Sequence, residues 1–290
     1  MVVHFIEANK NEQEKKMPVI NTNVASHFAR QNFAKVEREM DVSIQRLSSG
    51  LRVNRAQDDA AGSAIIGRMD SQINGLNMNI RNIKDGQSYI NTMEGAMAEI
   101  SNILQRMREL SVQAANGVAT ATDNGYLKLE MDQLVAEIEA IADDTRFNDV
   151  TVLSSGGTVS FYTDIDVKGT EVIVVTADMH VSVIGVTADA VSVATQSMAQ
   201  SAINNIDAAI AIVDSRRAQL GAVANRMDHI VDNLSNVVAE TASAKSRIQD
   251  ADYAVETTEL TKNTVLSQAA TSMVAQANAA KNSILQLIQP

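Results

Sequence analysis

The chain has 290 residues, with 24 Lys and Arg against 35 Asp and Glu, a net charge of −11, and neither cysteine nor tryptophan. The acidic balance argues against a nucleic-acid footprint, and the lack of cysteine excludes disulfides and thiol chemistry. No apolar run reaches the ~18 residues of a membrane span, and the scarcity of aromatics leaves the apolar work to Ala, Met, Ile and Val, a mixture suited to slender helix packing.

Residues 1–16 (MVVHFIEANKNEQEKK) are polar and charged with no long apolar core, so they do not read as a secretory signal. A fresh pattern opens at Met17, and between Pro18 and Pro290 there is no proline to break a helix. Asn21, Thr22 or Asn23 can cap a first helix that runs to about Ser49. Val24, Phe28, Val36, Met40, Ile44 and Leu47 are assigned to one broad side of it, and Gly50 is its left-handed stop. A second helix is expected from about Ala56 to Asn116. Leu76, Ile83, Ile90, Met97 and Leu104 recur every seven residues along it, with Met93, Ile100 and Met107 in the alternate seam positions. Gly117 to Gly125 reads as a loop, followed by a third helix, about Tyr126 to Asp143, carrying Leu127, Met131, Leu134, Ile138 and Ile141.

The period then changes. From Thr151 to about Val193 the sequence is β-branched and punctuated by turns at Ser154–Gly157 and Lys168–Gly169. Strands are expected at Thr158–Thr163, Glu171–Thr176 and His180–Gly185. Helix returns from about Thr195 to Asp250, with Ile203, Ile206, Ile210, Val213, Arg217, Leu220, Ala224, Met227, Val231, Leu234 and Val238 in register. The last 28 residues, Asn263 to Pro290, carry one charge, Lys281. Leu266, Ala270, Met273, Ala277, Ala280, Ile284 and Leu287 alternate by four and three there. A helix so poor in charge is weakly specified alone and calls for burial on several sides. The expected fold is mainly α: N- and C-terminal halves pair as a long antiparallel, coiled-coil-like rod around a small β-rich insert.

Chemistry is sparse. Asp58 and Asp59 resemble an acid/base dyad only superficially, since adjacent residues on a helix point about 100° apart; charge near the positive end of the second helix explains them. Gly62 is read as a point of close backbone approach. His4, His27, His180 and His229 have no mutual spacing suited to a metal site. No phosphate loop and no nucleophile–base set is evident, so no catalytic, cofactor-binding or metal residue is assigned and no enzyme activity is expected. The methionines lie on seam positions and read as core.

Five stretches carry a resemblance. Ile20-Asn21-Thr22-Asn23 leads to Arg46-Leu47-Ser48-Ser49-Gly50-Leu51-Arg52 and then Asn54-Arg55-Ala56-Gln57-Asp58-Asp59-Ala60-Ala61-Gly62. Near the end come Ser246-Arg247-Ile248-Gln249-Asp250-Ala251-Asp252-Tyr253-Ala254 and Gln268-Ala269-Ala270-Thr271-Ser272-Met273-Val274-Ala275-Gln276-Ala277-Asn278. In this order they resemble bacterial flagellin, from Met17 to about Leu153 and from about Ala199 to Pro290.

The resemblance implies a structural subunit that polymerises into the flagellar filament. Residues 17–55 and 251–290 would form an inner tube, 56–150 and 195–250 the adjoining rod helices, and 151–194 a short variable insert. Residues 1–16 would be an atypical extension, either an upstream miscalled start or a genuine addition. Val24, Phe28, Met40, Leu47, Leu266, Met273, Ile284 and Leu287 would carry assembly. Implied partners are further copies of the chain or other flagellins, an export chaperone, the filament cap and the hook-junction proteins. Implied export is unfolded, through the flagellar type III apparatus, to an extracellular filament, with no membrane insertion. By position, contacts to the flagellin-sensing Toll-like receptor would fall to Gln105, Arg106, Glu109, Leu110 and Glu130. The alternative is a hook–filament junction protein, which shares the terminal helices; the Asp250-Ala251-Asp252-Tyr253 run favours flagellin.

Overall fold

The computed structural model describes residues 22–162 and 171–286. The described chain divides into two compact units, one built from 22–67 and 244–286, the other from 68–243.

In the first unit, helix α1 (Val24–Ser49) begins at Asn23, whose side-chain oxygen accepts from the Ser26 N–H. It ends at Gly50, with φ +73°, whose N–H closes on the Arg46 carbonyl at 2.8 Å. A left-handed residue at this position satisfies a carbonyl that the helix itself leaves open. Helix α2 (Ala60–Ala114) starts four residues later than its periodicity suggests, because Asp59 caps it by accepting from the Gly62 N–H at 2.8 Å. Gly62 therefore has a different role from the expected one. The space above it holds the Asp59 carboxylate, 2.8 Å from where a Cβ would place itself against Cγ, rather than a neighbouring backbone. Asp58 accepts from the N–H groups of Arg55 and Asn54, which hold its carboxyl below the usual range.

The second unit is organised by α2 and by helix α5 (Gln196–Gln249), which run antiparallel. Gln87 bonds Asp228 at 2.6 Å, Glu94 meets Arg217 at 3.7 Å, and Arg108 meets Asp207 at 2.6 Å, so partner numbers fall as one ascends α2. Between them the heptad residues behave as their spacing predicts: Ile83, Ile90, Met93, Met97, Ile100, Leu104 and Met107 are all fully buried. Helix α3 (Ala121–Asp144) completes this core through Met131, Val135, Ile138 and Ala142. It begins five residues earlier than Tyr126. Thr120 and Asp123 form a reciprocal capping box, so the stretch to Gly125 that reads as loop is largely helix.

The insert is smaller in β content than its sequence suggests. A two-residue hairpin pairs β1 (Arg146–Phe147) with β2 (Val150–Thr151) across Asn148 and Asp149, both at positive φ, the geometry of a tight primed turn. The main hairpin, β3 (Thr158–Tyr162) with β4 (Glu171–Val175), has the expected strands in antiparallel register from Thr158↔Val175 to Tyr162↔Glu171. Val172 and Val174 face inward and are fully buried. Phe161 packs near Tyr89, and a Cβ on Gly86 of α2 would stand 3.1 Å from the Phe161 ring; glycine there lets the hairpin rest on the helix. The third expected strand is instead a single helical turn, α4 (Val181–Ile184), stopped by Gly185 at φ +81°. Its Val-Ser-Val-Ile alternation mimics a strand, but among the described residues no strand pairs with it, and the glycine closes the turn. Lys168-Gly169 and Pro18 lie outside the described residues.

Truncating one fully buried seam residue, Met97→Ala, should cost about 3 kcal/mol through lost burial and a residual cavity. A circular-dichroism melt of the monomer should show its midpoint falling by roughly 10 °C.

Candidate assembly interface

Helix α6 (Tyr253–Gln286) lies antiparallel against α1. Contacts run from Asn23 Nδ2 on the Ala277 carbonyl (3.0 Å) and Ser26 on Asn278 (3.0 Å) at one end to Arg46 on Glu256 (2.9 Å) and the Tyr253 hydroxyl on the Leu47 carbonyl (2.9 Å) at the other.

Two of the motif stretches that bear the resemblance, Arg46–Arg52 and Ser246–Ala254, meet at this second end. Leu51 and Asp250 form an antiparallel bridge. Ala251 N–H donates to the Gly50 carbonyl at 3.0 Å, and Arg52 N–H to the Gln249 carbonyl at 2.7 Å. The Arg52 guanidinium reaches the Ile248 carbonyl, and Asp252 caps α6 by accepting from the Ala254 N–H at 2.8 Å. The carbonyls of Leu47, Ile248 and Gln249 sit in the last turns of α1 and α5, where a helix leaves carbonyls without intrahelical partners. Each motif thus supplies donors for the exposed carbonyls of the other. Glu256, only 7% exposed, sits in the first turn of α6, where its charge also favours the helix dipole.

Along the rest of the contact the distribution of side chains is inverted. The inner face of α1 is Ser26, Ala29, Phe33, Val36, Met40, Ser43 and Leu47, and that of α6 is Glu256, Leu260, Asn263, Ser267, Ala270, Val274 and Ala277. Ser26, Ser43, Glu256 and Asn263 are the fully buried members, whereas Phe28 is 64% exposed, Met273 62% and Val265 60%. Val24, Val42, Ile44, Tyr253, Val255 and Leu266 are exposed as well. The Oδ1 of Asn263 and the Nε of Arg46 are buried without a hydrogen-bond partner. Both line an open groove of about 450 Å³ between the two helices, with Lys35, Arg38, Glu39 and Glu259 on its walls. Such atoms weaken the pair, because an unsatisfied buried donor or acceptor costs about 1–3 kcal/mol.

Of the expected seam, Met40 and Leu47 are half-buried between α1 and α6, while Val24, Phe28, Leu266 and Met273 point outward. The single broad side on α1 does not hold together: residues four apart drift by about 40° per step, so a series from Val24 to Ile44 winds around the helix. On α6, Ala270 and Ala277 belong to the inner face, but the flanking members are Ser267 and Val274 rather than Leu266 and Met273. Preferring the bulkiest side chain at each step shifts that reading by one residue. The side chain of Ile284, and Leu287 entirely, lie outside the described residues.

The receptor-like segment lies in the second unit. Arg106 donates to Glu130 at 2.9 and 3.0 Å and to Glu109 at 3.0 Å, and these carboxylates, Glu130 foremost, hold its guanidinium above its usual range. Gln105, Arg106, Glu109 and Glu130 are exposed. Leu110 is not: at 1% exposure it is core, so the expected exposed leucine beside Arg106 is absent from the surface.

Spacing also gave no hint that His180 has acidic company. Its Nδ1 is 2.6 Å from Asp178 and its Nε2 3.1 Å from Asp143, and these carboxylates, Asp178 foremost, raise its pKa. Separations of 37 and 41 residues to Asp143 and Glu139 hide that cluster from any local pattern. His27 and His229 are exposed, and His4 lies outside the described residues.

A well-packed helical unit is thus joined in sequence to a helix pair whose most buried residues are polar and whose outer faces carry large apolar side chains. The models of the bacterial flagellin N-terminal and C-terminal helical regions match residues 20–158 and 203–288. A flagellin of Halalkalibacterium halodurans is 40% identical, over 93% of this chain and 100% of its own length. A flagellar filament 33 kDa core protein of Treponema phagedenis is 36% identical over 93% and 100%. A solved structure described as a putative flagellar hook-associated protein from Vibrio parahaemolyticus shares the fold alone, at TM-score 0.58 and 13% identity, covering 67% of this chain and 100% of that one. The chain belongs to the bacterial flagellin family, whose members are structural subunits of the flagellar filament.

Replacing Arg46 with Ala leaves Glu256 buried and uncompensated, which should cost the α1–α6 pair about 3 kcal/mol. Amide hydrogen exchange should then accelerate in the first turns of α6 while the second unit's amides keep their protection.

Proposed function

We propose that the chain polymerises through the outer faces of α1 and α6, with Val24, Phe28, Leu266 and Met273 as the principal contacts between copies. The observation that carries this is how the helix pair distributes its side chains: Val24, Phe28, Leu266 and Met273 are exposed, while the most deeply buried positions of the inner face are Ser26, Ser43, Glu256 and Asn263. Burying an exposed Met or Phe side chain contributes about 1.5–3 kcal/mol, so covering this stripe by neighbours far outweighs what the single chain gains from its own seam. Met40 and Leu47 act within the chain, setting the α1–α6 pair. Ile284 and Leu287 are assigned to contacts between copies by their place in the sequence spacing alone.

In this reading residues 17–55 and 251–290 form an inner tube, and 56–150 with 195–250 an outer layer that carries the 151–194 insert. Head-to-tail contacts that do not close yield an open helical polymer. A subunit with such an apolar stripe needs masking before assembly, which suits an export chaperone on α6, passage through the flagellar type III apparatus, and insertion beneath a distal cap. Other flagellins and the hook-junction proteins would meet the same faces.

The full chain should regrow filaments on seeds, visible by electron microscopy. Removal of 263–290 should leave a helical monomer that never elongates them, and Met273→Asp should do the same with the monomer's melting temperature unchanged. Normal filaments from either variant would refute the assignment.

We further infer that exposed Gln105, Arg106, Glu109 and Glu130 form the face offered to the flagellin-sensing Toll-like receptor, with buried Leu110 supporting it from below. In a reporter-cell assay with monomer, Arg106→Ala should raise the half-maximal dose about tenfold, consistent with loss of one arginine contact. Silence of the unaltered monomer at saturating dose would reject this face.

A further inference from the structure

We propose that Glu139, Asp143 and His180 form a site for a divalent transition cation of the zinc class. One ligand atom from each lies within 4.8 Å of the other two. Glu139 and Asp143 are four apart on α3 and therefore share one face at its C-terminal end. His180 reaches that face from the residue preceding α4, where it makes no side-chain cap bond.

The orientation of the imidazole is the deciding feature. Asp178 Oδ1 stands 2.6 Å from Nδ1 and, as an acceptor, fixes the proton there. That leaves Nε2 as the nitrogen directed at the carboxylates, 3.1 Å from Asp143 Oδ1. A carboxylate on the far nitrogen of a ligating histidine is the usual outer-shell support of a metal site. Metal–nitrogen and metal–oxygen bonds of about 2.1 Å place adjacent donors roughly 3 Å apart, which the His180–Asp143 pair already meets, while the Glu139 donor, within 4.8 Å of both, closes by side-chain rotation. Glu139 is itself held, accepting from the Val181 N–H at 3.0 Å through one oxygen and leaving the other free. One nitrogen with two carboxylates suits zinc and its neighbours, while an imidazole ligand discriminates against magnesium and calcium. The ion would clip the end of α3 to the segment following β4, closing a loop across the whole β insert.

The test is zinc chloride titrated into the full-length monomer by calorimetry at neutral pH, with thermal melts alongside. One zinc per chain is expected, with a melting rise of about 5 °C at a hundredfold excess over Kd. Asp143→Asn, on a side chain 60% exposed and outside the core, should weaken binding by about tenfold or more. His180→Gln should abolish it, Asp178→Asn should weaken it, and His229→Gln should leave it unchanged. Cobalt should give a visible absorption band lost in His180→Gln. No saturable binding up to about 1 mM zinc, or binding indifferent to Asp143→Asn, overturns the proposal. Should His180→Gln lose helicity, the Asp143→Asn titration decides alone.

Discussion

The junction where Gly50–Arg52 meets Ile248–Ala251 is the constraint on which the first unit depends. Two helix ends arrive together there, each with open carbonyls, and each covers the other's through backbone N–H groups, Arg52 and Tyr253. This explains why glycine stands at 50: only a left-handed residue turns α1 sharply enough to present its carbonyl to Ala251. It also sets the register of everything beyond, because once Leu51 pairs with Asp250 the inner faces of α1 and α6 are committed to Arg46–Glu256 at one end and Ser26–Asn278 at the other.

The two units divide labour by packing. In the second, isoleucine, leucine and methionine at heptad spacing are fully enclosed by α2, α3 and α5, giving a core complete within one chain. In the first, polar residues occupy positions that would otherwise hold such side chains, so the helix pair is defined by hydrogen bonds and one ion pair more than by apolar burial. Buried polar groups of this kind fix alignment at a cost in stability.

Most of the helical fold was legible in the sequence because long heptads need no tertiary help to be recognised: Leu76 through Met107 and Ile206 through Met227 lie where their spacing puts them. Caps and turns were harder. Asp59 and the Thr120–Asp123 box moved helix starts by several residues, and the alternation in Val181–Ile184 imitated a strand that no partner completes. The first unit misled for a different reason. Reading a seam by size assumes that the largest apolar residues are the most buried, and here Ser26, Ser43, Glu256 and Asn263 are buried more deeply than any apolar neighbour on the same faces. Motif order identified the family, yet only coordinates showed that two of those motifs are halves of one junction. The grouping of His180 with Asp143 and Glu139 was invisible because the insert folds back across some forty residues to create it.

The seating of Phe161 over Gly86 anchors the foot of the main hairpin, its paired strands, one pair short of the last in the ladder. Val172, Val174 and the Phe161 ring anchor the strands to α2. The pair Tyr162↔Glu171 closes the ladder immediately beyond the Phe161↔Val172 pair of that anchor. Sequence inserted beyond it would leave the foot undisturbed, while any side chain at 86 would press on the ring that holds it. The same subunit can therefore change the surface it displays without altering the lattice it builds, and a single small residue marks where that freedom stops.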